Sequence, residues 1–153
     1  MDFAALSRRR LIVKGLPALI LGLSLRPAHA APPPRTLAAM REFAGGVAPM
    51  NGRVLLDIPP LVENGNSVPL TVSVESPMTE TDHVVEIALF SERNPLPDIA
   101  RFRLGPRCGQ AWVMTRIRLG DTQTIHALAR MSDGSVRAAS AELLVTLPAC
   151  IEG

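Results

Sequence analysis

Metal binding, hydrolysis and redox catalysis all need residue types that this sequence holds in small number. It has 2 cysteines and 3 histidines in 153 residues. Cys108 and Cys150 lack close histidine or cysteine neighbours, and Met40, Met50, Met78, Met114 and Met131 are dispersed, so no ligand set for zinc or copper is visible. The expectation is no metal and no cofactor. His83 and His126 stand outside any motif that would pair them as a base with a nucleophile. Paired carboxylates, phosphate-cradling glycine loops and dinucleotide fingerprints are missing too. The chain therefore reads as a protein that is not itself an enzyme. Two cysteines are also too few for a disulfide-stapled miniprotein, so each needs its own explanation.

A retained membrane anchor is likewise absent from the expectation. The basic opening Arg8-Arg9-Arg10 leads into the apolar run Leu16-Pro17-Ala18-Leu19-Ile20-Leu21-Gly22-Leu23, which ends near Ala28-His29-Ala30. That order of basic, apolar and small residues is a secretory signal peptide over residues 1–30. The run is too short, and too soon followed by Arg26 and Pro27, to hold a spanning helix, so no membrane span is expected after cleavage. Arg9-Arg10-Leu11-Ile12-Val13-Lys14 fits the twin-arginine pattern, and the expected destination is the periplasm.

Cleavage removes Arg8, Arg9, Arg10, Lys14 and Arg26 but only one acid, Asp2, which turns the net charge from +2 to −2. The basic character of the whole chain belongs to the export signal. No cluster of Lys and Arg survives to track phosphates, which excludes nucleic acid as a partner. Of the 153 residues, 123 remain after residue 30, enough for one ordinary core.

In that remainder, Ala31-Pro32-Pro33-Pro34 is a stiff spacer, and Thr36 is placed to cap a short helix through residues 37–43 that Gly45-Gly46 stops. From Val54 onward, short apolar runs rich in β-branched residues alternate with turn-formers. They predict strands at 54–58, 68–75, 84–90, 99–104, 111–119, 123–131 and 136–147. Alternation is clearest where Leu70, Val72 and Val74 interleave with Thr71, Ser73 and Glu75. Asn64-Gly65 and Asp133-Gly134 suit tight hairpins. With no long helical pattern between the strands, the expected fold is all-β: an immunoglobulin-like antiparallel β-sandwich over 31–147, with a short N-terminal helix.

Residues 148–153 form the expected C-terminal arm. Pro148 blocks further pairing, and Ala149-Cys150-Ile151-Glu152-Gly153 projects as a free end. A thiol there can enter another protein's cleft, accept a group and carry it away, its tether raising its effective concentration at successive enzymes. Two other readings stay open: an adventitious tail cysteine, or a disulfide with Cys108, which follows Gly105-Pro106-Arg107 in a turn. In the second, the sandwich is a structural or interaction module and the bridge stabilises it.

Several linked segments resemble one family. Gly52-Arg53-Val54, Leu61-Val62-Glu63-Asn64-Gly65-Asn66-Ser67-Val68-Pro69, Ser76-Pro77-Met78-Thr79, Asn94-Pro95-Leu96-Pro97, Thr115-Arg116-Ile117-Arg118-Leu119, Thr122-Gln123 and Met131-Ser132-Asp133-Gly134-Ser135 look like SoxY, the sulfur-carrier subunit of periplasmic thiosulfate oxidation. The resemblance implies an immunoglobulin-like sandwich that forms a heterodimer with a SoxZ-like subunit. It also implies that sulfur intermediates are held covalently on a swinging-arm cysteine, here Cys150, for periplasmic sulfur-oxidation enzymes. The family arm reads Gly-Gly-Cys-Gly-Gly, whereas this one reads Pro148-Ala149-Cys150-Ile151-Glu152-Gly153, similar to a SoxY-related paralogue group with an Ala-Ala-Cys-Ile-Glu arm. Pro148 stiffens the hinge, Ile151 adds a branched side chain beside the thiol, and Glu152 adds a negative charge. The expectation is a carrier whose clients differ from the standard thiosulfate enzymes.

Overall fold

The computed structural model describes residues 31–150. The expected signal peptide at 1–30 and the expected arm residues Ile151, Glu152 and Gly153 lie outside the described residues. Among the described residues, one α-helix, α1 (Pro34–Ala44), precedes strands β1 (Met50–Asn51), β2 (Val54–Asp57), β3 (Leu61–Val62), β4 (Val68–Val74), β5 (Val84–Ser91), β6 (Asp98–Arg103), β7 (Ala111–Ile117), β8 (Gln123–Met131) and β9 (Val136–Val145). A 3-10 turn at Pro106–Cys108 joins β6 to β7.

The strands form two sheets. The larger runs β1-β9-β8-β5-β6, with β3 also on β9, and the smaller runs β2-β4-β7. Alternation explains the layering, since successive strand side chains point to opposite faces. Val68, Leu70, Val72 and Val74 of β4 enter the space between the sheets, where they meet Ile87 and Leu89 of β5 and Ile125, Ala127 and Ala129 of β8. The opposite residues of β5 and β8, Ala88, Phe90 and Leu128, form a second apolar face that α1 covers with Phe43 and Ala44. This is the expected all-β sandwich with one short helix.

All seven predicted strands are present, most shifted by a residue or two at an end. Strands β1 and β3 are additions, each only two residues long and paired parallel to β9. Helix α1 begins earlier than expected, because Pro34 takes the first helical turn, where its missing N–H costs nothing. Thr36 is accordingly inside the helix and does not cap it; its hydroxyl donates to the Ser91 carbonyl at 2.9 Å instead. Gly45 ends the helix in the left-handed conformation at φ 61°. Gly134, at φ 82°, makes the β8–β9 hairpin as read.

One charged group is buried under the helix. Glu86 on β5 is 5% exposed and is paired with Arg130 of β8. The Arg130 guanidinium lies over the Phe43 ring at 4.9 Å and donates to the Phe43 carbonyl at 3.3 Å. Phe43 meets Phe90 edge-on, with centroids 5.9 Å apart. Because Phe43 carries both the apolar and the cation–π contact of α1, Phe43→Ala should cost about 3–5 kcal/mol, read as a lower urea midpoint at unchanged slope.

Candidate functional site

Cys150 sits at the end of the sandwich where β9 exits. Its backbone course is set by the loops it passes. The Thr146 N–H donates to the Val62 carbonyl at 3.0 Å, and the Thr146 hydroxyl to the Glu63 carbonyl at 3.2 Å. Next, the Gly65 N–H donates to the Leu147 carbonyl at 2.8 Å, and the Ala149 N–H to the Leu119 carbonyl at 2.9 Å. Gly65 and Leu119 are themselves joined, the Leu119 N–H donating to the Gly65 carbonyl at 2.9 Å. Ala149 is buried, whereas Pro148 before it and Cys150 after it are exposed.

This corrects the placing of the arm. Pro148 ends the strand pairing as expected, but residue 148 is not where the chain comes free. Ala149 is docked by its amide and its methyl group, and Cys150 follows it directly, with an exposed, free thiol.

The Asn64-Gly65 pair is also corrected. Strand β3 pairs with β9 and not with β4, so no hairpin lies between them. Asn64 instead closes a local turn by accepting from the Asn66 N–H at 2.9 Å.

A buried polar network holds the turn that carries Leu119. Gln123 is 6% exposed; its side-chain oxygen accepts from the Glu92 and Arg93 N–H groups at 3.2 and 3.0 Å. Its amide donates to Asn94 Oδ1 at 3.1 Å, and the same oxygen accepts from the Gly120 N–H at 3.1 Å. The Asn94 amide in turn donates to the Arg118 carbonyl at 2.8 Å. A buried amide such as that of Gln123 is costly unless satisfied, and here it is, with the half-buried Asn94 as its partner. Segments 61–69, 94–97, 115–119 and 122–123, far apart in the chain, thus converge around the exit to Cys150. Sequence reasoning valued them as a pattern and missed what they build.

Cys108 belongs to the other end. It follows the Gly105 turn, donating its N–H to the Gly105 carbonyl, just before β7 begins at Ala111. In the β4–β7 ladder, Ala111 faces Val74 and Ile117 faces Val68, next to the loop that holds Gly65. The six steps from Ala111 to Ile117 along β7 span about 20 Å at the usual rise per residue. A disulfide needs Cα atoms within about 7 Å. Pairing of Cys108 with Cys150 inside one folded domain does not fit this ladder, and both thiols are free and exposed.

The histidines take structural places. The His126 Nε2 and Glu92 Oε1 atoms lie 2.9 Å apart beneath the helix side, and His83 Nδ1 lies 3.0 Å from the Thr79 carbonyl. Among the described residues, no group of three or more His, Cys, Asp or Glu side chains is placed to hold a metal ion. No helix among them is long and apolar enough to cross a membrane.

No curated protein matches this sequence. Among solved structures, the sulfur carrier protein SoxY from Chlorobium limicola f thiosulfatophilum is similar, with a TM-score of 0.62 and 24% identity over 74% of this chain and 97% of that one. A superoxide reductase (neelaredoxin) from Ignicoccus hospitalis has a TM-score of 0.55 at 18% identity, covering 61% of this chain and 80% of that one. A putative superoxide reductase from Thermotoga maritima has the same score at 20% identity, covering 63% and 93%. At these identities the likeness is one of fold. The family model described as sulfur oxidation protein SoxY, in contrast, matches residues 40–150, from the helix to the exit cysteine itself. The chain therefore belongs to the SoxY family.

Proposed function

We propose that this protein is a non-enzymatic carrier of the periplasm, exported by its twin-arginine signal, that holds a sulfur-containing intermediate covalently on Cys150 and presents it to sulfur-oxidation enzymes. The observation that carries the reading is the exposed, free thiol immediately beyond a docked backbone, at the residue where the SoxY family match ends. Such a thiol is held at a defined place yet open to a second protein. Loading by exchange needs no oxidant: the Cys150 thiolate attacks an S–S bond, a new S–S bond forms and the displaced sulfur leaves as a thiolate. Loading by oxidative coupling to a sulfur anion removes two electrons and the thiol proton, which a separate electron-accepting enzyme takes up. The reading as a structural module with a Cys108–Cys150 bridge is set aside, because those residues belong to opposite ends of the sandwich.

The clients proposed are enzymes other than the standard thiosulfate set, since Pro148, Ala149, Ile151 and Glu152 stand where the family arm has glycines around the cysteine. A SoxZ-like second sandwich is the proposed heterodimer partner. The outer face of the small sheet supports it: Leu55, Ser73 and Trp112 stand in one cross-strand row, and Asp57, Thr71 and Met114 in another. Leu55 is 65%, Trp112 50% and Met114 65% exposed on that face. Large apolar side chains aligned on a sheet face are the composition of an interface centre.

Intact masses from sulfur-fed cells should show an adduct on the wild-type chain that Cys150→Ser lacks; a wild type that never carries one ends the carrier reading. The protein should also co-purify with a second sandwich subunit, and Trp112→Ala should weaken that association by about 2 kcal/mol or more, the usual cost at an interface centre. A wild-type protein that purifies as a stable monomer would count against the partner.

A further inference from the structure

Glycine is needed at a position either for a backbone angle or for space, and the two needs separate clearly here. Gly45, Gly46, Gly52, Gly109 and Gly134 all have positive φ, which side chains disfavour. Gly65 is not among them. A Cβ at Gly65 would instead lie 2.3 Å from the Leu119 carbonyl oxygen, 2.9 Å from the Ala149 nitrogen and 3.2 Å from the Leu147 carbonyl oxygen. All three are backbone atoms, so no side chain can move aside to make room. They are also the three atoms through which residues 147–149 are docked.

We propose that Gly65 is the positioning residue for the Cys150 thiol: its bare backbone is the saddle that the exiting chain crosses, and the crossing holds Cys150 at the end of the sandwich. The consequence for carriage rests on the reading of Cys150 as a carrier, whereas the clamp itself does not. While the clamp is closed, the Cα of Cys150 stays one peptide, about 3.8 Å, from that of Ala149. The sulfur is then presented at the domain surface, and a client must bring its own site to that surface. Opening the clamp releases residues 147–149 and lengthens the reach by roughly 10 Å at 3.3–3.6 Å per residue. Gly65 thereby sets which client clefts are accessible.

The test uses the full chain with a nitroxide on Cys150 in a Cys108→Ser background, and hydrogen exchange at the Ala149 amide. In the parent, the label should be motionally restricted and the Ala149 amide protected. Gly65→Ala should sharpen the spectrum and speed Ala149 exchange at least tenfold. Ala149→Pro, which deletes the donor to Leu119 without adding bulk at residue 65, should also sharpen the spectrum and decides the matter if Gly65→Ala does not fold. A nitroxide on Cys108 in a Cys150→Ser background reports general loosening at the far end and should be unchanged by either substitution. An unprotected Ala149 amide in the parent, or a Cys150 label that neither substitution mobilises, overturns the proposal. These readouts need no sulfur cargo, so a clamp that passes while the wild type carries no adduct would sink the carrier reading alone.

Discussion

Strand β9 is bonded along one side to β8, from Val136 opposite Arg130 to Leu143 opposite Gln123. Its other side is shared by two short parallel strands, β1 near its start and β3 near its end. Between them the chain leaves for β2 in the small sheet and returns, so the two sheets are stitched together along β9. The outer edge of the last strand is thus covered at both ends, around residues 137–138 and 144–146, which shortens the open template for unwanted pairing. The same arrangement delivers residues 146–149 onto the loops around Gly65 and Leu119 at a defined height. The place of the thiol follows from that strand.

The two faces of the large sheet have separate tasks. Toward the small sheet it buries a continuous aliphatic core, in which Val72, Val84, Ile87, Leu89 and Ile125 are fully enclosed. Toward α1 it buries Phe90 and Leu128 and also one carboxylate, Glu86, kept there by Arg130. A buried ion pair adds little net stability, but once built it is costly to break. It sits at the β5–β8 pairing and fastens the helix that opens the domain.

Shared architecture with superoxide reductases shows how little a sandwich by itself says about chemistry. The distinguishing parts lie at one end of the domain. There the Asn94–Gln123 network, the Leu119 turn and the Gly65 loop gather around the exit of the last strand, and the cysteine stands just outside them.

The strands were legible because a half-buried strand must alternate, and β4 and β7 do so along their whole length. The helix stop and the Asp133-Gly134 hairpin were legible because both need positive φ, which glycine supplies. Cys150 could be picked out by its position after Pro148 and by the family motifs around it. Strands β1 and β3 could not be read, since two-residue segments carry no period and owe their form to β9. Gly65 could be seen but was read as a turn, because a glycine required for space and one required for an angle look the same in a sequence. Which cysteine is near which, and where the arm begins, likewise depended on contacts between residues 65, 119 and 149. Local backbone preference and alternation are properties of neighbours in the chain; the clamp arises from three distant backbones passing within hydrogen-bonding distance, and only the tertiary structure decides that.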